Sequence, residues 1–190
     1  MSYWNDNLRR ALWTLTFLAA MTVFAETPAA HGQGQVVDRE YVLKAVYLYR
    51  FATYIRWPDK AFADANSPFV IAVFGPDPVG DGLREIAAQK KIGERKIVVR
   101  HFEQPGDVRD CHILFMTRAV DSETQKAIIQ RLSKQGVLFV GETKEFLQHG
   151  GVIDFLIRQN QIRMFISKRA YEREGLKVSA QLLRVMTVLE

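Results

Sequence analysis

Apolar and polar positions between Tyr41 and Trp57 follow a helical rhythm. Leu43, Val46, Tyr47, Phe51, Tyr54 and Ile55 fall on one face at three- and four-residue spacing. Val42, Ala45, Tyr49 and Ala52 cover much of the opposite side, with Lys44, Arg50, Thr53 and Arg56 scattered among them. A helix apolar nearly all round has to be covered nearly all round, by its own core or by a partner. Six of the chain's 21 aromatic residues lie in this short stretch. Pro58 stops the helix, because proline disfavours a helical conformation at the preceding Trp57. The expected result is a buried helix ending in an Arg56–Trp57 corner.

Beyond that corner the rhythm changes to short apolar runs. Phe69 to Phe74 is continuously apolar, as expected of a strand covered on both faces. A Gly- and Pro-rich loop from Gly75 to Gly82 leads into a helix over Leu83 to Ala88. Strands are expected over Lys96 to Phe102, Cys111 to Thr117 and Val137 to Val140. Between the last two, Asp121 to Leu132 reads as an amphipathic helix with Ala127, Ile128 and Leu132 inward, ended by Gly136. Thr143 to Leu147 reads as a short helix. Strands alternating with helices predict a mostly parallel sheet.

The last third is patterned differently. Val152 to Ile157 and Ile162 to Ile166 flank Arg158-Gln-Asn-Gln161, which predicts a hairpin pairing Ile157 with Ile162, Phe155 with Met164 and Ile153 with Ile166. These pairs would face the core. The other face would carry Val152, Asp154 and Leu156 against Arg163 and Phe165, with Asp154 and Arg163 diagonal to one another. Two helices are expected to follow, Lys168 to Glu174 capped by Ser167 and Ala180 to Val188 capped by Ser179. The fold class is therefore α/β: one three-layer domain with a mostly parallel sheet flanked by helices, then a C-terminal β-hairpin and helices.

The N-terminus changes the picture of where the domain works. Arg9 and Arg10 precede a charge-free apolar run from Ala11 to Phe24, and Val23-Phe24-Ala25 places small residues where a signal peptidase cuts. Residues 1–25 thus read as a signal peptide, 26–37 as a disordered leader and 38–190 as the domain. The run is short against the roughly 20 residues a bilayer needs. Export by a Gram-negative cell would deliver the chain to the periplasm. Cleavage would remove two arginines and one aspartate, leaving 24 basic and 20 acidic side chains, a net of +4. That mild balance lacks the basic stripe of a nucleic-acid binder. Cys111 is the single cysteine, so no internal disulfide can form, and its apolar setting predicts a buried, inert thiol.

Catalytic chemistry has little to stand on. The histidines, His31, His101, His112 and His149, lack metal-ligand spacing, and no nucleophile elbow is present. The Gly75 to Gly82 loop lacks the phosphate-cradle pattern, and Pro76 and Pro78 remove two backbone donors it would need. No cofactor or metal is expected. Binding chemistry is better represented. Arg56 and Trp57 are of the residue types that dominate protein interfaces, although Trp57 could equally plug the end of its helix. Asp154, Arg163, Phe165 and Lys168 form a second candidate set, in which an arginine beside an aromatic ring could hold an aromatic anion. The plainer reading there is a surface Asp154–Arg163 pair worth well under ~1 kcal/mol.

Taken together, the blocks Lys44-Ala-x-Tyr47-Leu48 with Phe51, Tyr54 and Trp57-Pro58, then Val73-Phe-Gly-x-Asp77-Pro78-x-Gly80-Asp81, then Cys111-His-Ile-Leu-Phe115 resemble the YfiR family of periplasmic proteins. Gly150-Gly-Val-Ile-x-Phe155, Asn160-x-Ile-Arg163-x-Phe165-x-Ser167 and Gly175-Leu176-x-Val178-Ser179 complete the likeness, which runs from about residue 40 to the C-terminus. The resemblance implies an exported regulator, without enzymatic activity, that represses an inner-membrane diguanylate cyclase by binding its periplasmic sensor domain. An outer-membrane lipoprotein as releasing partner, a homodimer and small aromatic ligands are implied with it. Two departures bear on the transfer. The founding member uses several cysteines in disulfides, where only Cys111 stands here. Ser167 and Ala180 replace the family's usual Asn and Ser at helix starts. The alternative from another class is a periplasmic protein binding a small aromatic or anionic molecule through Trp57, Arg163 and Phe165.

Overall fold

The structure, a computed structural model, describes residues 31–190; the expected signal segment 1–25 and residues 26–30 of the leader lie outside the described residues. Helix α1 runs His31–Tyr54, so its first turns pass through residues 31–37. From Tyr41 onward one stripe of it is buried, Tyr41, Lys44, Ala45, Leu48, Phe51 and Ala52, and Ile55 just past its end is buried too. This is the three- and four-residue spacing of a single helix face. The domain's own core covers one side only, and Val42, Leu43 and Val46 remain 59%, 44% and 40% exposed. Phe155 of the sheet seats the buried face, stacking on Phe51 at 5.7 Å and tilting against Tyr47 at 6.0 Å.

The helix stops at Tyr54, short of the expected Trp57. Ile55–Arg56 forms a short strand β1, antiparallel to β9 (Lys177–Val178), with Ile55 opposite Val178 and Arg56 opposite Lys177. The strand pairing supplies backbone partners that a further helical turn before Pro58 could not.

The main sheet contains β2 (Phe69–Phe74), β3 (Lys91–Ile92), β4 (Arg95–Phe102), β5 (Ile113–Met116), β6 (Leu138–Gly141), β7 (Ile153–Arg158), β8 (Gln161–Ser167) and β10 (Thr187–Leu189). Its order is β10-β8-β7-β6-β5-β2-β4-β3. The run β7-β6-β5-β2-β4 is parallel, β8 and β3 are antiparallel to their neighbours β7 and β4, and β10 is parallel to β8. Every side chain of β2, β5 and β6 is buried, as continuous apolar strands in a parallel sheet require. Helices α2 (Gly80–Gln89) and α3 (Ser122–Leu132) supply the crossovers. Asp121 caps α3 through the Thr124 N–H, and the inward residues are Gln125, Ile128, Ile129 and Leu132. Ala127, expected inward, is exposed.

The hairpin register is the expected one, with Phe155 opposite Met164 and Ile153 opposite Ile166. Gln159 and Asn160 both take left-handed backbone conformations (φ 52° and 59°), the requirement of a tight two-residue hairpin turn. One expected helix is absent and another is cut short. Residues 143–150 form hydrogen-bonded turns closed by Phe146 N–H to the Thr143 carbonyl and Gly150 N–H to that of Leu147. After α4 (Lys168–Arg173) and β9, helix α5 spans only Ala180–Leu183, and β10 takes Thr187–Leu189 to the edge of the sheet beside β8. There the unpaired edge of β8 offers a full row of backbone partners, and that outweighs the local helical pattern. The domain is nonetheless of the expected class, a single α/β unit on a mostly parallel sheet flanked by helices.

Candidate functional site

The crossover from β4 to β5 carries the chain from one side of β2 to the other, so the strand order reverses between β2 and β5. In open parallel sheets the crevice beyond the carboxyl ends of the strands at such a point is where ligands commonly bind. Here it is crossed by α1, whose Ala45 approaches Gly82 of α2. Lys44 reaches down with a fully buried side chain and pairs with Glu142, just past β6, and with Glu40 one turn back. Arg118, just past β5, pairs with Glu40 and lies 3.5 Å from Glu142, while its backbone N–H donates to the same carboxylate at 2.8 Å. The ammonium group also sits 4.8 Å from the Tyr41 ring centre and 5.8 Å from that of Phe155. Two cations and two carboxylates thus clamp α1 onto the carboxyl ends of β5 and β6. A buried lysine is tolerable only when so compensated.

Asp154, in register with Gly141 of β6, belongs to this neighbourhood. It is 1% exposed, and its Oδ1 has no hydrogen-bond partner among the described residues. Burial, then the nearby Glu142, push its carboxyl up to about 7, with Lys44 acting in the opposite direction. The expected surface pair with Arg163 does not form. The register sets Arg163 opposite Leu156 and Asp154 opposite Phe165, diagonal on one face as expected, but Asp154 is buried and Arg163 exposed.

The Arg56–Trp57 corner divides between two roles. Arg56 is exposed, and across the β1–β9 pair it faces Lys177, another cation. Trp57 is half-buried and built into the wall of the domain: its Nε1–H donates to the His112 carbonyl at 3.1 Å, and its ring stands edge-on to Phe69 at 4.8 Å. Lys168, the first residue of α4, is half-buried and reaches Glu190 at 3.6 Å. Phe165 is half-buried in β8, paired on its other side with Thr187.

These candidates do not converge. Tracing the register from His112 through β6 and β7 to Arg163 gives six residues along the strands and three strands across. That separation is roughly 20 Å by 14 Å. Trp57 and Arg163 lie toward opposite ends of the sheet, too far apart for one small molecule to touch both, so the alternative built on their joint contact has no geometric basis. A protein-sized partner could span them.

The charged cluster of Lys44, Glu142, Glu40 and Arg118 was not among the expected sites, although its signal is present in the sequence. Lys44 stands in the stripe Tyr41, Lys44, Leu48, Phe51, Ile55, where every other member is apolar. A charge placed inside an apolar stripe calls for a buried counter-charge. Among the described residues, no three histidine, cysteine or carboxylate side chains are arranged to hold a metal ion.

The sequence model of the YfiR/HmsC-like family matches residues 41–186, almost the whole folded unit. The chain belongs to that family. Helix α1 from Tyr41, strands β1 to β9, and Lys44, Arg118 and Glu142 of the clamp fall inside the match. A comparison with curated protein sequences finds no match. Among solved structures, a conserved domain protein from Vibrio cholerae O1 biovar El Tor is similar, with a TM-score of 0.51 at 13% identity over 78% of this chain. The present chain spans 60% of that protein's length. At that identity the likeness shows the fold.

Proposed function

We propose that this YfiR/HmsC-like protein is a periplasmic regulator that represses an inner-membrane diguanylate cyclase by binding the enzyme's periplasmic sensor domain. The observation that carries this reading is the family match across the folded unit, residues 41–186. The buried ion pair agrees with it: Lys44 fastens α1 to Glu142 at the carboxyl end of β6. What such a clamped domain offers a partner is its outside surface.

The contact residues in this proposal are Arg56 and Arg163, both exposed, with Lys168 and the half-buried Phe165 beside the latter. Trp57, next in the chain, is anchored to the His112 carbonyl. The spacing of the two patches suits a protein face, which engages roughly 800 Å² per partner. Release by an outer-membrane lipoprotein and pairing of two copies belong to the same proposal and rest on the family resemblance. Among the described residues no helix is long and apolar enough to cross a membrane. The test is a pull-down or titration calorimetry between the purified chain and the sensor domain of a cyclase from the same cell. Arg56→Glu and Arg163→Glu, each at an exposed position, should weaken binding at least ~10-fold if each removes a directed contact. Undiminished affinity in both would remove these patches from the interface.

A further inference from the structure

The two-stranded sheet of β1 and β9 holds a like-charged pair: Arg56 stands in register opposite Lys177, and both are exposed. Like charges directly opposite on an antiparallel pair repel. Neither makes an ion pair among the described residues. Two further exposed cations adjoin them. Pro58, two residues after Arg56, packs beside Gly136 and Gly175, where an added β-carbon would meet its ring at 3.3 Å and 3.7 Å. Lys60 Nζ donates to the Lys134 carbonyl at 3.1 Å, and both lysines are exposed.

Three segments thus meet around Pro58: residues 56–60, 133–136 and 173–177. They carry five cations and two carboxylates, Asp59 and Glu174. Glu174 is buried and paired with Arg173 at 2.9 Å. That leaves Arg56, Lys60, Lys134 and Lys177 at the surface against Asp59 alone. The backbone presenting them is fixed. Ile55 pairs with Val178, the Ser179 N–H donates to the Tyr54 carbonyl at 3.0 Å, and Trp57 is held by the His112 carbonyl. A preset array of charge costs a partner little ordering.

The surroundings say which kind of anion fits. Docking on an anionic lipid surface uses apolar side chains set among the cations. None of the large apolar side chains exposed among the described residues lies in these three segments. What they offer is spaced positive charge around the half-buried Trp57, which suits a protein face. We infer that this patch docks an acidic protein segment, with carboxylates set against Arg56 and Lys177 and others toward Lys60 and Lys134. The inference rests on the reading of Arg56 as a contact with the cyclase's sensor domain, and it gives that contact its chemistry: the sensor face it meets is acidic.

The experiment titrates hexaglutamate, and separately hexaglutamine, into the purified chain and follows amide chemical shifts. Hexaglutamate should saturate, with the largest shifts at Arg56, Lys60, Lys134 and Lys177, and hexaglutamine should not. Raising the salt from about 20 to about 200 mM should weaken the complex ~10-fold. Lys177→Glu and Lys134→Glu should each weaken it about 5-fold at low salt. Lys91→Glu, at an exposed cation of β3, should leave it unchanged. Unchanged shifts away from each substitution confirm the fold. Lys177→Glu should also lower affinity for the sensor domain about 5-fold. Shifts spread over every exposed lysine, an equal effect of Lys91→Glu, or binding indifferent to salt would overturn the inference. If the sensor domain binds neither wild type nor variant while hexaglutamate behaves as expected, the cyclase reading fails and the acidic partner stands. If the sensor domain binds both equally, whatever the salt, the acidic contact fails and the cyclase reading stands.

Discussion

Replacing Lys44 by methionine removes the one buried cation that binds α1 to the carboxyl end of β6, and the structure sets the size of the effect. Deleting one member of a buried ion pair typically costs ~3–5 kcal/mol, because the other charge is left without compensation. Glu142 would not be left bare: the Arg118 N–H at 2.8 Å and its guanidinium at 3.5 Å remain. The loss should fall at the lower end, about 3 kcal/mol, and for a domain of this size that lowers Tm by roughly 6–12 °C. Glu142→Gln should cost less, about 1–2 kcal/mol, since the amide oxygen can still accept from Lys44 and Glu40 still neutralises it. The double variant Lys44→Met with Glu142→Gln should be no worse than Lys44→Met alone, because no uncompensated charge remains on that pair. Urea unfolding of the four proteins, followed by circular dichroism, gives the coupling directly. Single-variant losses below ~0.5 kcal/mol, or strict additivity in the double, would show that the clamp does not hold α1 and would refute the reasoning.

Three further expectations follow from particular side chains. Asp154 has a folded-state value near 7 against an ordinary 3.8, so the folded state holds its proton more tightly and stability falls as pH rises from about 4 to 7; the decline amounts to at most roughly 4 kcal/mol. Asp154→Asn should abolish that slope and stabilise the protein at pH 8, and a less stable variant at pH 8 would contradict the burial argument. Trp57→Phe keeps an edge-on ring against Phe69 but loses the bond to the His112 carbonyl, which should cost about 1 kcal/mol in urea unfolding. Cys111, buried with its thiol pushed up to about 12, should resist a thiol-directed dye at pH 8 in the folded protein and react at once in urea; rapid labelling without denaturant would show the wall to be open.

Features set by local pattern were the legible ones. The hairpin register followed from its period-two alternation and a turn that Gln159 and Asn160 can both enter with positive φ. The buried strands β2, β5 and β6 followed from continuous apolar runs. Features decided by distant partners were not legible. Ala180 to Val188 has a helical pattern of its own, yet its second half pairs with β8, about twenty residues earlier. Ile55 and Arg56 join a two-stranded sheet whose other half is Lys177–Val178. The all-round apolar character of α1 suggested full covering, and the choice of face came from where Phe155 and Glu142 lie. The same holds for the candidate site. Arg56 and Arg163 are exposed, whereas Asp154 lies in the interior in register with Gly141, a neighbour that no spacing rule connects to it. The basic patch of Arg56, Lys60, Lys134 and Lys177 assembles from segments scattered over the chain, which meet around Pro58 only once the strands are side by side.

The central claim is repression of a cyclase, and cellular cyclic-di-GMP reads it most directly. Deleting the chain should raise cyclic-di-GMP, and the wild-type chain supplied in trans should restore the original level. Arg56→Glu with Arg163→Glu, exported and folded to the same abundance, should fail to do so. An unchanged cyclic-di-GMP level on deletion, in cells where the wild-type protein is shown to be abundant in the periplasm, would contradict the account.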